Sequence, residues 1–177
     1  IMRDVSLHIL DIAENSIRAG ATCIYITITL DAKADRLTVC IDDNGCGMDQ
    51  EMLERVKNPF STSRTTRQVG LGIPLFAAGC ENTGGTLEIE SSPGAGTKLT
   101  AAYINSHIDR PPLGDIAETI YSLTLLNPQI DFVFCAKKDE SFLYDTRQIK
   151  SAIAGIAITE PDVLNFIHGF LQEGITQ

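Results

Sequence analysis

The chain has no tryptophan, and only 6% of its 177 residues are aromatic, so its core must be built largely from aliphatic side chains. Positive charge is also scarce: 14 Lys and Arg stand against 23 Asp and Glu, a formal net charge of −9. A duplex-binding surface takes most of its affinity from phosphate neutralisation and needs a basic excess, so no nucleic-acid partner is expected. The five cysteines (Cys23, Cys40, Cys46, Cys80, Cys135) form neither a C-x-x-C pair nor a Cys/His cluster at metal-ligand spacing. They read as free thiols serving as small buried apolar groups. No apolar run is long enough to span a bilayer, and no basic-then-apolar leader opens the chain. A cytoplasmic protein without a membrane role is expected.

What is present is strong periodicity. Residues 3–19 place Val5, Ile9, Ile12 and Ala13 on one side of a helix, and Gly20 offers the left-handed residue that ends it. Alternation predicts strands over 22–30 and 36–42. A short helix over 49–56 leads into an aperiodic stretch, 57–69, that reads as a loop. A helix over 73–82 carries Pro74 in its first turn. Strands over 86–91 and 97–104 are joined by SPGAG, and Pro111 with Pro112 marks a boundary. Beyond it the pattern predicts a helix (113–126), strands (130–137, 141–145) and helices (146–154, 160–173). The stripe Val163, Phe166, Ile167, Phe170 is expected to be core, or else a partner surface. The class is α/β in the broad sense, an α+β two-layer sandwich with a mixed sheet. Residues 1–105 form one unit, and 106–177 form an αββαα extension packed on it or appended to it.

Three segments carry possible chemistry. On the first helix, Asp4, His8, Asp11, Asn15 and Arg18 fall within a sector of about 80° at 100° per residue. Such a face is often merely solvated. It also suits a metal–phosphate site, with an amide oxygen for a hard cation from Asn15, a carboxylate one turn away at Asp11 and a guanidinium at Arg18. The second segment, DDNGCGM (42–48), ends a strand in an Asn-Gly turn. A carboxylate there can accept a hydrogen bond from the amino group of a base, and Gly47 permits close approach of a flat ligand. The third, RQVGLGIP (67–74), puts glycines before a helix whose free N–H groups can hold phosphate. NPFSTSRTTR (58–67), just ahead of it, is basic and rich in hydroxyls. GAGTK (94–98) is not a P-loop, because it lacks that spacing and joins two strands.

The order of these pieces resembles the GHKL superfamily of DNA gyrase, heat-shock chaperones, histidine kinases and MutL proteins. DIAENSIRAGA (11–21) is similar to a MutL-type N box. FSTSRTTRQVGLGIPL (60–75) and GGTLEIESSPGAGTKLTAAY (84–103) look like the lid, glycine box and terminal strands of a histidine-kinase catalytic domain. The resemblance implies a Bergerat-type sheet with helices on one face, and ATP with Mg²⁺ as ligands. It implies Asn15 as the magnesium ligand and Asp43 as the adenine-reading carboxylate, with Gly45 and Gly47 in the turn lining the base. Thr97 would support that carboxylate. Gly70, Leu71 and Gly72 would meet phosphate, with Arg18 and the lid residue Arg64 beside it. Gln68 stands where the fuller glycine box has another glycine.

Asp11 occupies the position that is acidic in members that hydrolyse ATP and in anti-sigma serine kinases, and commonly Asn in histidine kinases. A carboxylate there points to hydrolysis or Ser/Thr phosphotransfer, with slow turnover because Asp is one methylene shorter than the usual Glu. The N box begins so early that no phosphoacceptor hairpin is expected before it. Three functions are open: a slow ATPase switch, a protein kinase acting in trans on a partner, and a nucleotide sensor without turnover. Each leaves room for a protein partner or a homodimer.

Overall fold

The computed structural model of the chain describes residues 3–58 and 72–176. Its elements are α1 (Val5–Arg18), β1 (Cys23–Asp31), β2 (Arg36–Asp43), α2 (Gln50–Lys57), α3 (Gly72–Glu81), β3 (Thr86–Ser91), β4 (Thr97–Ile104), α4 (Ile116–Leu126), β5 (Asp131–Lys137), β6 (Ser141–Asp145), α5 (Thr146–Ala152) and α6 (Pro161–Ile175). The strands form one mixed sheet in the order β3-β4-β2-β1-β5-β6, parallel only between β1 and β5. The last two strands therefore continue the sheet begun by the first four.

Register explains the two layers. Because side chains alternate, Ile89, Leu99, Ile41, Ile26, Phe134 and Tyr144 line up as one row across all six strands. Those six are all buried. The parallel row Leu87, Ala101, Val39, Ile28, Ala136, Phe142 lies on the same face, against which α1, α3 and α4 pack. The opposite face carries Glu88, Thr100, Cys40, Thr27 and Cys135, all at least partly exposed. Not every thiol is the small core group expected: Cys80 is buried, Cys46 is exposed, and the other three are intermediate.

Helix ends differ from the periodicity for local reasons. α4 starts at Ile116 because the carbonyls of Pro112 and Leu113 accept from the N–H groups of Val5 and Ser6, capping α1, and Asp115 then caps α4 itself. α5 stops at Ala152, just before Ala154 and Gly155, both at positive φ. The polar sector of α1 is not one solvated face. Asp4 is its N-cap, accepting from Leu7 N, and His8 is buried edge-on against Phe76, with ring centroids 4.6 Å apart. The α6 stripe is divided too. Ile167 is 0% exposed, whereas Phe166 is 60% and Phe170 37% exposed, so the expectation of a wholly core stripe holds only in part. Among the described residues no helix is long and apolar enough to cross a membrane.

Candidate functional site

Asp43 ends β2 on the helix-covered face, where β1 and β4 flank it with Ile24 and Thr97. Its carboxylate is buried and held from three directions. Ser16 Oγ donates to Oδ2 at 2.6 Å, and the N–H groups of Gly45 and Thr97 donate to Oδ1 at 2.9 and 3.3 Å. A carboxylate offers about four lone-pair directions, so one further donor can still be accepted by this fixed group. The Thr97 hydroxyl lies 2.9 Å from Ser91 Oγ, which also donates to Gly96 O and accepts from Met48 N.

The turn after Asp43 is fastened on both sides. Asn44 Oδ1 accepts from the N–H groups of Thr22 and Cys23, and Asn44 Nδ2 donates to Thr22 Oγ1. Cys46 N donates to Ala19 O at the end of α1, and Gly94 N to Cys46 O. Gly47 has φ +69°, and a β-carbon there would lie 2.0 Å from Ser92 O. The close approach that this glycine permits is therefore, in the first instance, to the β3–β4 hairpin. Gly45 is also buried, and a β-carbon there would sit 3.0 Å from that of Ala19.

On α1, Asn15 and Arg18 are exposed, and Arg18 Nε folds back onto Glu14 O. Asp11, one turn before Asn15, is partly exposed, and a β-carbon on Gly72 would stand 3.5 Å from the Asp11 β-carbon and 3.7 Å from Oδ2. The start of α3 thus lies directly beside Asp11. Arg64, Gly70 and Leu71 fall outside the described residues. The others share one end of the sheet: α1 carries Asp11 and Asn15, and the residue after Asn15 binds Asp43.

Four contributors were not anticipated. Ser16 follows Ile9, Ile12 and Ala13 at helical spacing, so a serine inside an apolar stripe was the available signal. Ser91 is similarly a polar residue at the inward register of Leu87 and Ile89. Gly96 is pressed on the Asp43 carbonyl, a β-carbon there falling 1.9 Å from that oxygen. Arg3, which the periodicity places in the first turn of a helix over 3–19, instead lies ahead of the Asp4 cap, and its Nη1 donates to Asp11 Oδ2 at 2.6 Å.

The donor set also bears on a divalent cation. Among the described residues no group of three or more His, Cys, Asp or Glu side chains could hold a metal. The exposed Asn15 amide fits a hard cation that arrives with a phosphate ligand, since Mg²⁺ keeps waters and needs few protein oxygens.

With this geometry in view, the comparisons define the class. The profile of the histidine kinase-, DNA gyrase B-, and HSP90-like ATPases matches residues 3–107, and the chain belongs to that family. It is 37% identical over 110 residues to the sensor protein kinase FleS of Pseudomonas aeruginosa, covering 62% of this chain and 27% of that protein. It is 31% identical over 117 residues to the non-motile and phage-resistance protein of Caulobacter vibrioides, covering 61% and 14%. The matched part is thus about a quarter or less of either relative's length. The fold is similar to that of the Aquifex aeolicus MutL ATPase domain complexed with ADP, with a TM-score of 0.53 and 18% identity over 86% of this chain and 68% of that one.

Proposed function

We propose that this chain binds ATP with Mg²⁺ at the end of the sheet marked by Asp43, and works as a slow ATP-hydrolysing switch module. The observation that carries the reading is the hydrogen-bonded Asp43 carboxylate joined through Ser16 to the helix that bears Asn15 and Asp11. In this reading one Asp43 oxygen accepts from the exocyclic amino group of adenine, a contact that costs no rearrangement because the carboxylate is already fixed. Gly45 and Gly47 shape the turn beside the base, and Thr97 braces the carboxylate. Asn15 would hold the cation, which when bound would neutralise charge on the phosphates. Gly72 and the N–H groups at the start of α3 face the phosphates, with Arg18, Arg64, Gly70 and Leu71 completing that end.

Asp11 then takes the proton of a water whose oxygen bonds to the terminal phosphorus as the bond from phosphorus to ADP breaks. The same geometry would serve a partner's hydroxyl. The relative named a sensor protein kinase favours phosphotransfer as the second reading, and we take it to act in trans on a partner's Ser, Thr or His. A protein partner or a second copy is proposed under either one.

Asp11→Asn is expected to bind ATP at least as well as the parent and to lower phosphate release or transfer at least tenfold, measured on one preparation by calorimetry and a phosphate assay. Equal rates in the parent and Asp11→Asn would remove Asp11 from the chemistry. Nucleotide binding without any turnover in the parent would leave a sensor.

A further inference from the structure

Arg3 has no place in the reaction as described, yet it touches the proposed base. It lies two residues before α1, and its Nη1–Oδ2 bond to Asp11 is 2.6 Å long, with side chains 39% and 29% exposed. The same Oδ2 faces the start of α3, 3.7 Å from where a Gly72 β-carbon would be. A guanidinium therefore stands where the phosphate end of the nucleotide is proposed to lie. It has five N–H donors, and the bond to Asp11 uses one of them. A phosphoryl group presents more negative charge than a carboxylate and accepts a guanidinium in a two-pronged fork, so it competes effectively for this side chain.

We propose that Arg3 is a ligand of the terminal phosphate, held on Asp11 in the nucleotide-free protein and handed to the phosphoryl oxygens when a triphosphate arrives. This rests on the ATP site proposed above and adds a regulation to it. While Arg3 is paired with Asp11, the carboxylate has its charge masked and one oxygen occupied. Arrival of the third phosphate draws the guanidinium away and leaves Asp11 open to a water or hydroxyl. A diphosphate has no group at that place and leaves the pair closed. The ion pair thereby makes exposure of the base depend on the ligand that is to react. Its partial exposure suits such an exchange, because an ion pair near solvent is held weakly.

The test is calorimetric titration, in magnesium, of the parent, Arg3→Ala and Arg3→Lys with ADP and with a non-hydrolysable imido analogue of ATP. Arg3→Ala is expected to weaken the triphosphate analogue about tenfold or more, the loss of one charge-assisted contact, while ADP affinity stays within about twofold. Arg3→Lys should recover part of the loss. Equal weakening of both nucleotides, or no weakening of either, would overturn the proposal while leaving the ATP site standing. A parent that binds neither nucleotide would instead overturn the site itself, and the role of Arg3 with it.

Discussion

His8 sits one turn before Asp11, but its ring is buried against Phe76 and its Nδ1 finds no hydrogen-bond partner among the described residues. Burial and the nearby Arg3 charge hold its pKa below the ordinary value near 6.5, and Asp11 and Asp4 only partly oppose them. The unfolded chain therefore binds a proton that the folded chain refuses. Stability from His8 is complete above about pH 6.5 and is lost as pH falls through the lower folded pKa. His8→Phe keeps the aromatic packing without the proton. Urea denaturation at a series of pH values should show the parent losing stability more steeply than His8→Phe as pH falls below about 6.5. Identical slopes would mean that His8 is already paired. The placement of Asp43 at a strand end and of Asn15 on the polar side of α1 was legible because their neighbours in sequence (a turn, a helix face) restrict where they can lie. That of Arg3 was not, because the helix expected from residue 3 begins at Val5, and from ahead of the Asp4 cap its side chain reaches Asp11 eight residues on.

Helices and strands were legible almost throughout, since each keeps one apolar face at period 3.6 or 2. What periodicity does not contain is the edge of the buried zone. In α6, Ile167 points at α4 and the sheet, while Phe166 and Phe170 stack on each other at the surface, 5.8 Å between centroids. One helical stripe thus has a dry half and a wet half, because α6 lies at the margin beside β6, the last strand. Ile167→Ala should cost about 2–5 kcal/mol, as for other large-to-small core changes. Phe166→Ala should cost under about 1 kcal/mol. Denaturant titration of the two variants separates them, and equal losses would contradict this division of the stripe.

At the scale of the molecule, residues 106–177 were expected as an extension on the first unit, and their strands lie in its sheet. β5 joins β1 edge to edge, and Phe132, Phe134 and Tyr144 enter the same core. That joint was not readable in advance, because parallel pairing leaves no turn signal between its partners. The same long-range assembly makes the candidate site, where α1, the end of β2, the start of β4 and the start of α3 meet around Asp43 and Asp11. Calorimetric titration of ATP with magnesium into the parent and Asp43→Asn tests that assembly most directly. Asn has the shape to keep the Ser16 and Gly45 contacts but lacks the charge and one acceptor. The account predicts an unchanged melting transition with ATP affinity reduced at least tenfold, the loss of a charge-assisted hydrogen bond. Equal affinity in parent and variant, or no binding by the parent, would contradict it.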